Sequence, residues 1–182
     1  MHGTEAVSAW IARWAHLVPA GATVLDVASG RGRHARFFAR RGCRVTAVDR
    51  DGEALRAIGV GETLVADIEN GPWPFTGRTF DAVVVTNYLW RPLLPAIVGS
   101  VAPGGVLLYE TFAAGNEAHG KPSRPDFLLQ PGELLTACAS LETIAFEQGF
   151  LASPPRVVQR IASVNSRGPH SLESPIPGEK IS

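Results

Sequence analysis

The fold is decided by the stretch from Val24 to Asp51, VLDVASGRGRHARFFARRGCRVTAVDRD. Its hydrophobic pattern predicts, in order, a buried strand at 24–28, a small-residue loop at 29–32, a helix at 33–41 and a second strand at 44–48. Gly42 ends the helix, and the second strand runs into the carboxylate of Asp49. A strand, a glycine turn, a helix and a second strand form one βαβ unit, so this stretch predicts a parallel sheet.

The rest of the chain predicts the completion of that sheet. Further strands are expected at 62–66, 80–85, 106–109, 141–149 and 156–164, with helices at 51–57, 93–101 and 132–139. Thr4 is expected to cap a leading helix that carries Trp10 and Trp14, and 110–131 is expected to be a long ordered loop. The last two strands are joined so tightly that they should be antiparallel. The predicted fold class is α/β, with a doubly wound, mostly parallel seven-stranded sheet and a C-terminal antiparallel hairpin strand.

Length and composition predict one ordinary domain. The chain has 182 residues, of which 45% are hydrophobic, and we expect a single domain at 1–164 followed by a disordered tail at 165–182. No apolar run approaches the ~20 residues of a membrane span, and the first residues lack a secretory signal pattern. Two cysteines are too few for a disulfide framework, so a reduced, cytoplasmic protein without membrane contact is expected.

Charge is balanced overall but uneven along the chain. The formal net charge is zero, which argues against a dedicated nucleic-acid binder. Seven arginines nevertheless lie between Arg31 and Arg50. This cluster is either the solvated face of one helix or part of an anion-binding surface. No pair of histidines has metal-ligand spacing, so no metal site is predicted.

Five short motifs occur in a fixed order along these elements. They are Asp26-Val27-Ala28-Ser29-Gly30-Arg31-Gly32, Asp49, Asp67-Ile68, Phe80-Asp81 and Pro103-Gly104-Gly105. In order and spacing they resemble the landmarks of class I S-adenosylmethionine-dependent methyltransferases, which have a Rossmann-like sheet. Ala28 stands where that family usually has its first glycine. The small size and the run of Gly30 to Arg33 are similar to small bacterial methyltransferases of the tellurite-resistance or type 11 branch.

The resemblance implies S-adenosylmethionine as cofactor and S-adenosylhomocysteine as its product. It places the methionine ammonium at Asp26, the ribose hydroxyls at Asp49, and the adenine at Asp67 and Ile68. The implied cofactor-binding residues are Asp26, Ala28, Gly30, Gly32, Arg33, Asp49, Arg50, Asp67, Ile68 and Asn87.

The acceptor side is less defined by the sequence. Methyl transfer from a sulfonium is an in-line displacement, so the protein mainly supplies alignment and excludes water. Glu110 and Tyr88 are the candidate catalytic residues, because each follows a predicted strand near the pocket mouth. The acceptor is expected to be a small molecule, and the oligomeric state stays open.

Three other functions compete with this interpretation. Gly30-x-Gly32-x-x-Ala35, followed by Asp49, also fits the fingerprint of a nicotinamide-dependent oxidoreductase. A non-catalytic protein that binds a nucleoside or a partner would have the same fold. An RNA or protein acceptor is supported by the arginine cluster alone. His34 is expected to be structural.

Overall fold

A computed structural model describes residues 6–166 and Leu172. Seven strands form one sheet: β1 (Thr23–Val27), β2 (Arg44–Asp49), β3 (Glu62–Val65), β4 (Phe80–Thr86), β5 (Val101–Phe112), β6 (Glu142–Ala152) and β7 (Pro155–Val164). The helices are α1 (Ala9–Trp14), α2 (Arg33–Arg40), α3 (Gly52–Arg56), α4 (Leu94–Gly99) and α5 (Glu133–Ala137). The strand order is β3-β2-β1-β4-β5-β7-β6, and β7 is antiparallel to both neighbours. The predicted seven-stranded α/β fold is confirmed.

Helices cover both faces of the sheet, as a parallel sheet requires. Trp10, Trp14 and Phe38 pack with inward residues of β1, β2 and β4 on the face of α1, α2 and α3. Ile97 and Leu134 pack on the opposite face, which carries α4 and α5. The chain first builds outward from β1 to β3 and then returns to β4, so the carboxyl edge between β1 and β4 is the topological switch point where such folds bind ligands.

The start of α1 differs from its prediction. Thr4 lies outside the described residues, and the cap is Ser8, whose hydroxyl accepts hydrogen bonds from the amides of Trp10 (3.2 Å) and Ile11 (3.4 Å). The Trp10 indole donates to the carbonyl of Ile161 (3.2 Å), which fixes α1 against β7. The helix starts later than the hydrophobic spacing indicated because a side-chain cap overrides periodicity at a helix end.

Strand β5 is longer than predicted. Val101 pairs with Phe80 across an irregularity in register, and Phe112 pairs with Val158 of β7. The connection after β5 is ordered, as expected, with one-turn 3-10 helices at Asn116–Ala118 and Pro125–Phe127. Pairing with β4 lengthens β5 at its start, and pairing with β7 lengthens it at its end. A local sequence pattern does not reveal pairing between distant strands.

Arg91 holds the connection after β5 in place. Its guanidinium donates to both oxygens of Glu133 (2.7 and 2.9 Å) and to the carbonyls of Asp126 (2.9 Å) and Leu128 (2.8 Å). Arg91 therefore has a structural role, because it ties the segment after β4 to the connection after β5.

The sequence predicted a disordered tail and no membrane-spanning segment. Most of the tail predicted to be disordered, 167–171 and 173–182, lies outside the described residues. Among the described residues, no helix is long and apolar enough to cross a membrane.

The turn between β1 and α2 requires left-handed backbone at three positions. Ala28, Gly30 and Gly32 have φ values of 52°, 52° and 72°. A Cβ on Gly32 would lie 2.6 Å from Ile58 Cγ1, so this glycine allows α2 and the end of α3 to approach each other. Ala28 has a Cβ and adopts the same backbone region at a cost.

Two substitutions in this turn should have opposite effects on stability. Ala28→Gly should raise the free energy of unfolding by about 0.5–1 kcal/mol, because it removes left-handed strain but adds unfolded-state entropy. Gly32→Ala should lower it by about 2 kcal/mol, through strain and the collision with Ile58. Urea unfolding measures both changes, and a loss of stability in Ala28→Gly would contradict the strain at that position.

Candidate active site

A cavity of about 250 Å³ opens at the carboxyl ends of β1, β2 and β3, beside the segment that follows β4. It is lined by Ala28, Asp49, Arg50, Ala66, Asp67, Ile68, Glu69 and Tyr88. Five of these residues were predicted to bind the cofactor and one was predicted to be catalytic. A larger groove of about 540 Å³ lies between α4 and α5 on one face of the sheet, away from this edge. The switch-point cavity is the candidate site, because strand-end carboxylates converge there.

Asp49 connects β2 to the glycine turn. One carboxylate oxygen accepts a hydrogen bond from the Gly30 amide (2.8 Å), and the other accepts from the Asp51 amide (2.9 Å). Each carboxylate oxygen can accept a second hydrogen bond, so the side chain can also receive two vicinal hydroxyls of a ligand. The backbone bonds fix the orientation that such recognition needs.

Asp26 is buried beneath the same turn, with 1% of its surface exposed. Its carboxyl accepts a hydrogen bond from the Ala35 amide (3.0 Å) in the first turn of α2. Burial raises the pKa of Asp26 to about 7, against the opposing effects of this hydrogen bond and of the Arg33 charge. The group is therefore poised to ionise when a cation binds beside it.

The adenine side of the predicted site contains Asp67, Ile68 and Tyr88. The Asp67 carboxylate accepts from the Asn70 side chain (2.9 Å) and from the amides of Glu69 (3.1 Å) and Asn70 (3.2 Å), and these hydrogen bonds lower its pKa. Ile68 is buried and offers an apolar surface. Asp67 thus shapes the turn that forms one wall of the cavity.

Tyr88, which the sequence predicted to be a catalytic residue near the pocket mouth, also lines this cavity. Its hydroxyl is buried and has no hydrogen-bond partner among the described residues. Burial raises the pKa of Tyr88, and the charge of Glu69 raises it further. A phenol with a raised pKa stays protonated at neutral pH, so it does not serve as a base but can donate a hydrogen bond to a ligand.

Glu110, the other predicted catalytic residue, lies under α1. It is 3% exposed, accepts a hydrogen bond from the Ser8 hydroxyl (2.9 Å) and forms an ion pair with Arg160 (3.1 Å). Register places Thr86, Glu110, Arg160 and Glu147 side by side on four neighbouring strands. We call these four residues the polar row. One carboxylate oxygen of Glu110 accepts from Ser8 and the other pairs with Arg160, so Glu110 holds α1 on the sheet.

Residues at the start of α2 connect the row to the glycine turn. Arg33 lies 3.5 Å from the Thr86 hydroxyl and 3.5 Å from the Ala6 carbonyl, and burial lowers its pKa. His34 accepts a hydrogen bond from the Ser8 amide (3.2 Å), and burial lowers its pKa to about 3. His34 is therefore neutral and holds the start of α1.

One residue predicted to bind the cofactor, Asn87, lies in the turn after β4, and three further residues of this region were not predicted. Asn87 has left-handed backbone (φ 55°), and its amide donates to the Glu110 carbonyl (2.9 Å). Sequence reasoning missed the cavity residues Ala66 and Glu69, and also Ser8. Glu69 follows Asp67 by two residues, and this closeness to a predicted site residue could have indicated that Glu69 lines the cavity. Ser8 had none, because its partner Glu110 is 102 positions away.

The cavity fits an adenosyl sulfonium cofactor in its chemistry. Asp49 offers acceptors for two hydroxyls, and the Ile68 side chain offers an apolar contact for a base. The carboxyl of Asp26 lies buried beneath the glycine turn and does not line the cavity. The unpartnered Tyr88 hydroxyl supplies a donor. A Cβ on Gly30 would have no protein atom within 4 Å, which leaves open space for a ligand over the turn.

Comparisons with known proteins agree with this geometry. A family model described as "Methyltransferase domain" matches residues 24–105. A malonyl-[acyl-carrier protein] O-methyltransferase of Serratia marcescens is 34% identical over 106 residues, which cover 53% of this chain and 40% of that relative. The chain thus spans about two fifths of the curated relative's length.

Solved structures share the fold. TehB from Haemophilus influenzae aligns with a TM-score of 0.67 at 18% identity, covering 91% of this chain and 63% of that one. An S-adenosylmethionine-dependent methyltransferase from Mesorhizobium loti aligns with a TM-score of 0.67 at 14% identity, covering 89% of this chain and 100% of that one. These solved structures have the fold that the sequence predicted, and the methyltransferase-domain match over residues 24–105 supports the predicted resemblance to class I S-adenosylmethionine-dependent methyltransferases.

Proposed function

We propose that this chain transfers the methyl group of S-adenosylmethionine to a small-molecule acceptor and releases S-adenosylhomocysteine. The observation that carries the proposal is the pairing of Asp49 with the Gly30 amide at the switch-point cavity (2.8 Å). Bound S-adenosylmethionine would supply a methyl group on a sulfonium: a lone pair of the acceptor would bond to the methyl carbon as the carbon–sulfur bond breaks on the opposite side, and S-adenosylhomocysteine would leave. Because positive charge disappears from sulfur in this step, the protein needs to align the reactants and exclude water.

Each part of the cofactor has a partner in this proposal. Asp49 binds the ribose hydroxyls, and Asp26 holds the ammonium of the methionine part. Arg33 faces the carboxylate of the methionine part of the cofactor. Ile68 and Tyr88 contact the adenine, so Tyr88 acts in binding. Arg50 lies at the rim of the cavity.

The start of α1 lies over the carboxyl ends of β4 and β5, beside the proposed site. Ser8 ties the start of this helix to Glu110 and His34, so the hydrogen bonds hold a wall over the carboxyl ends of β4 and β5. Glu110 is therefore a positioning residue in this proposal. Its ion pair with Arg160 leaves it poorly suited to accept a proton from an acceptor.

A thermal-shift titration with S-adenosylmethionine, S-adenosylhomocysteine and NAD tests the proposal. A ligand at about 100 times its dissociation constant stabilises a protein by roughly 2.7 kcal/mol, which is several degrees for a domain of this size. We expect shifts with the two adenosyl sulfur ligands only. A shift with NAD alone would support the oxidoreductase alternative, and no shift with any ligand would favour a protein that does not use this cofactor.

The role of Asp49 can be tested with its neighbour Asp51 as the matched control. Asp49→Asn should weaken S-adenosylhomocysteine binding about 10- to 100-fold, because charge-assisted hydrogen bonds to the ribose are lost. Asp51→Asn should change the affinity less than about threefold, since Asp51 caps α3 through the amides of Glu53 and Ala54. Isothermal titration measures both affinities, and equal effects of the two substitutions would refute the ribose assignment.

Asp26 should make cofactor binding depend on pH. Only its ionised form pairs with the ligand ammonium, so S-adenosylhomocysteine affinity should fall up to about tenfold per unit as the pH drops below about 7. The folded-state pKa is raised above the ordinary 3.8, so the unliganded protein should lose stability as the pH rises from about 4 to about 7.

Asp26→Asn should separate these two effects. The neutral side chain keeps an acceptor for the Ala35 amide, so at pH 8 the unliganded variant should melt at a higher temperature than the parent. Its affinity for S-adenosylhomocysteine should be weaker and nearly independent of pH. An unchanged pH dependence of binding in this variant would assign the titration to another group.

A further inference from the structure

Two carboxylates line the cavity just after β3, and the structure uses them differently. Asp67 is exposed, and its carboxylate accepts three hydrogen bonds from its own turn. The donors are the amides of Glu69 (3.1 Å) and Asn70 (3.2 Å) and the Asn70 side chain (2.9 Å). A carboxylate has about four acceptor positions, so Asp67 has little capacity left for a ligand.

Glu69 lines the same cavity and is half-buried. Its main-chain amide is bonded to Asp67, which fixes the position of the residue in the turn. Its carboxylate forms no ion pair among the residues that the structure describes. Glu69 therefore keeps more of its acceptor positions for a ligand than Asp67 does.

Tyr88 provides a hydrogen-bond donor beside Glu69. Burial raises the pKa of Tyr88 and the charge of Glu69 raises it further, so the two groups lie close together in the cavity. The Tyr88 hydroxyl nevertheless has no hydrogen-bond partner among the described residues. The Tyr109 hydroxyl donates to the Tyr88 carbonyl (2.8 Å), which fixes the main chain at this position. The cavity thus presents an acceptor and a donor side by side.

Adenine has the complementary pattern on one edge. Its exocyclic amine donates hydrogen bonds, and the neighbouring ring nitrogen N1 accepts one. A carboxylate can accept from the amine, and a phenol hydroxyl can donate to the ring nitrogen. Hypoxanthine reverses this edge, because a carbonyl oxygen replaces the amine and N1 carries a hydrogen. A carboxylate opposite that carbonyl would face a second acceptor with no proton between them.

We infer that Glu69 selects an adenosyl over an inosyl ligand by accepting a hydrogen bond from the exocyclic amine of the base. Tyr88 supplies the second hydrogen bond, from its hydroxyl to a ring nitrogen. The family resemblance places the adenine at Asp67, whereas this assignment leaves Asp67 with a role in the turn. The inference rests on the proposed function, because it concerns the base of the same cofactor.

Isothermal titration with S-adenosylhomocysteine and S-inosylhomocysteine tests the inference without turnover. The two ligands differ only in the base, where the inosyl compound has a carbonyl in place of the amine. We expect the parent chain to bind the adenosyl ligand at least about tenfold more tightly, because two acceptors that face each other in a cavity leave both unpaired.

Glu69→Gln should remove most of this preference. A glutamine amide can turn either its oxygen or its nitrogen toward the base, so it can accept from an amine or donate to a carbonyl. The preference should fall below about threefold, mainly because the inosyl ligand binds more tightly. Tyr88→Phe should weaken adenosyl binding by about 3- to 10-fold through the loss of one hydrogen bond.

Two control variants carry the same chemical change at other carboxylates. Asp67→Asn should weaken both ligands by the same factor, since it loosens the turn, and should leave the preference unchanged. Glu53→Gln in α3 lies outside the cavity and should change neither affinity by more than about twofold. Circular dichroism and the melting temperature show whether each variant is folded.

Three outcomes would overturn the inference. They are equal binding of the two ligands by the parent, a preference that survives in Glu69→Gln, and a preference that Asp67→Asn loses as fully as Glu69→Gln does. In all three the parent still binds S-adenosylhomocysteine. A parent that binds neither ligand would instead refute the proposed function, and this inference with it.

Discussion

The hydrogen bond from the Gly30 amide to the Asp49 carboxylate joins the glycine turn of β1 to the end of β2 (2.8 Å). The turn can make this bond because its backbone is left-handed at Ala28, Gly30 and Gly32. Once the turn is fixed, α2 begins directly above it, and the Ala35 amide reaches the buried Asp26. Two carboxylates from adjacent strands thereby support one turn from two sides. The cavity lies on the outer side of that turn.

The two carboxylates serve the site in different ways because their environments differ. Asp49 is half-buried and already satisfied by two backbone amides, so its orientation is fixed before a ligand arrives. Asp26 is fully enclosed, and its raised pKa reflects the cost of an uncompensated buried charge. A ligand ammonium would supply the missing charge. Binding of a cation beside Asp26 would therefore be coupled to ionisation of this carboxyl group.

A second set of polar groups lies across β4, β5, β7 and β6. The row of Thr86, Glu110, Arg160 and Glu147 crosses four strands, and Trp10 stacks on the Arg160 guanidinium at 5.0 Å. Buried ion pairs contribute little net stability but are costly to break, so they favour one arrangement over others. In this protein they determine where α1 lies over the carboxyl edge.

The sequence by itself determined the order of the elements and the seven strands, and it predicted five of the residues that line the cavity. Local signals carried that information: the apolar runs of parallel strands, the glycines of one turn, and a carboxylate at the end of each of β1 and β2. Periodicity placed Asp26 and Asp49 at the ends of strands, and the resemblance to the methyltransferase family implied their roles toward the cofactor. The roles of Asp67 and Tyr88 were less clear, because a turn's hydrogen bonds and the wall on which a side chain lies depend on the packed fold.

Only the tertiary structure decided the partners of Glu110, Ser8 and Arg91. Glu110 looks like a strand-end carboxylate in sequence, but pairing of β5 with β7 brings Arg160 against it, 50 positions away. Ser8 caps α1 and also bonds to Glu110, and Arg91 bonds to Glu133 across 42 positions. Contacts between distant segments depend on sheet register and helix placement. A pattern of neighbouring residues carries no information about either, because both are fixed by the packing of the whole domain.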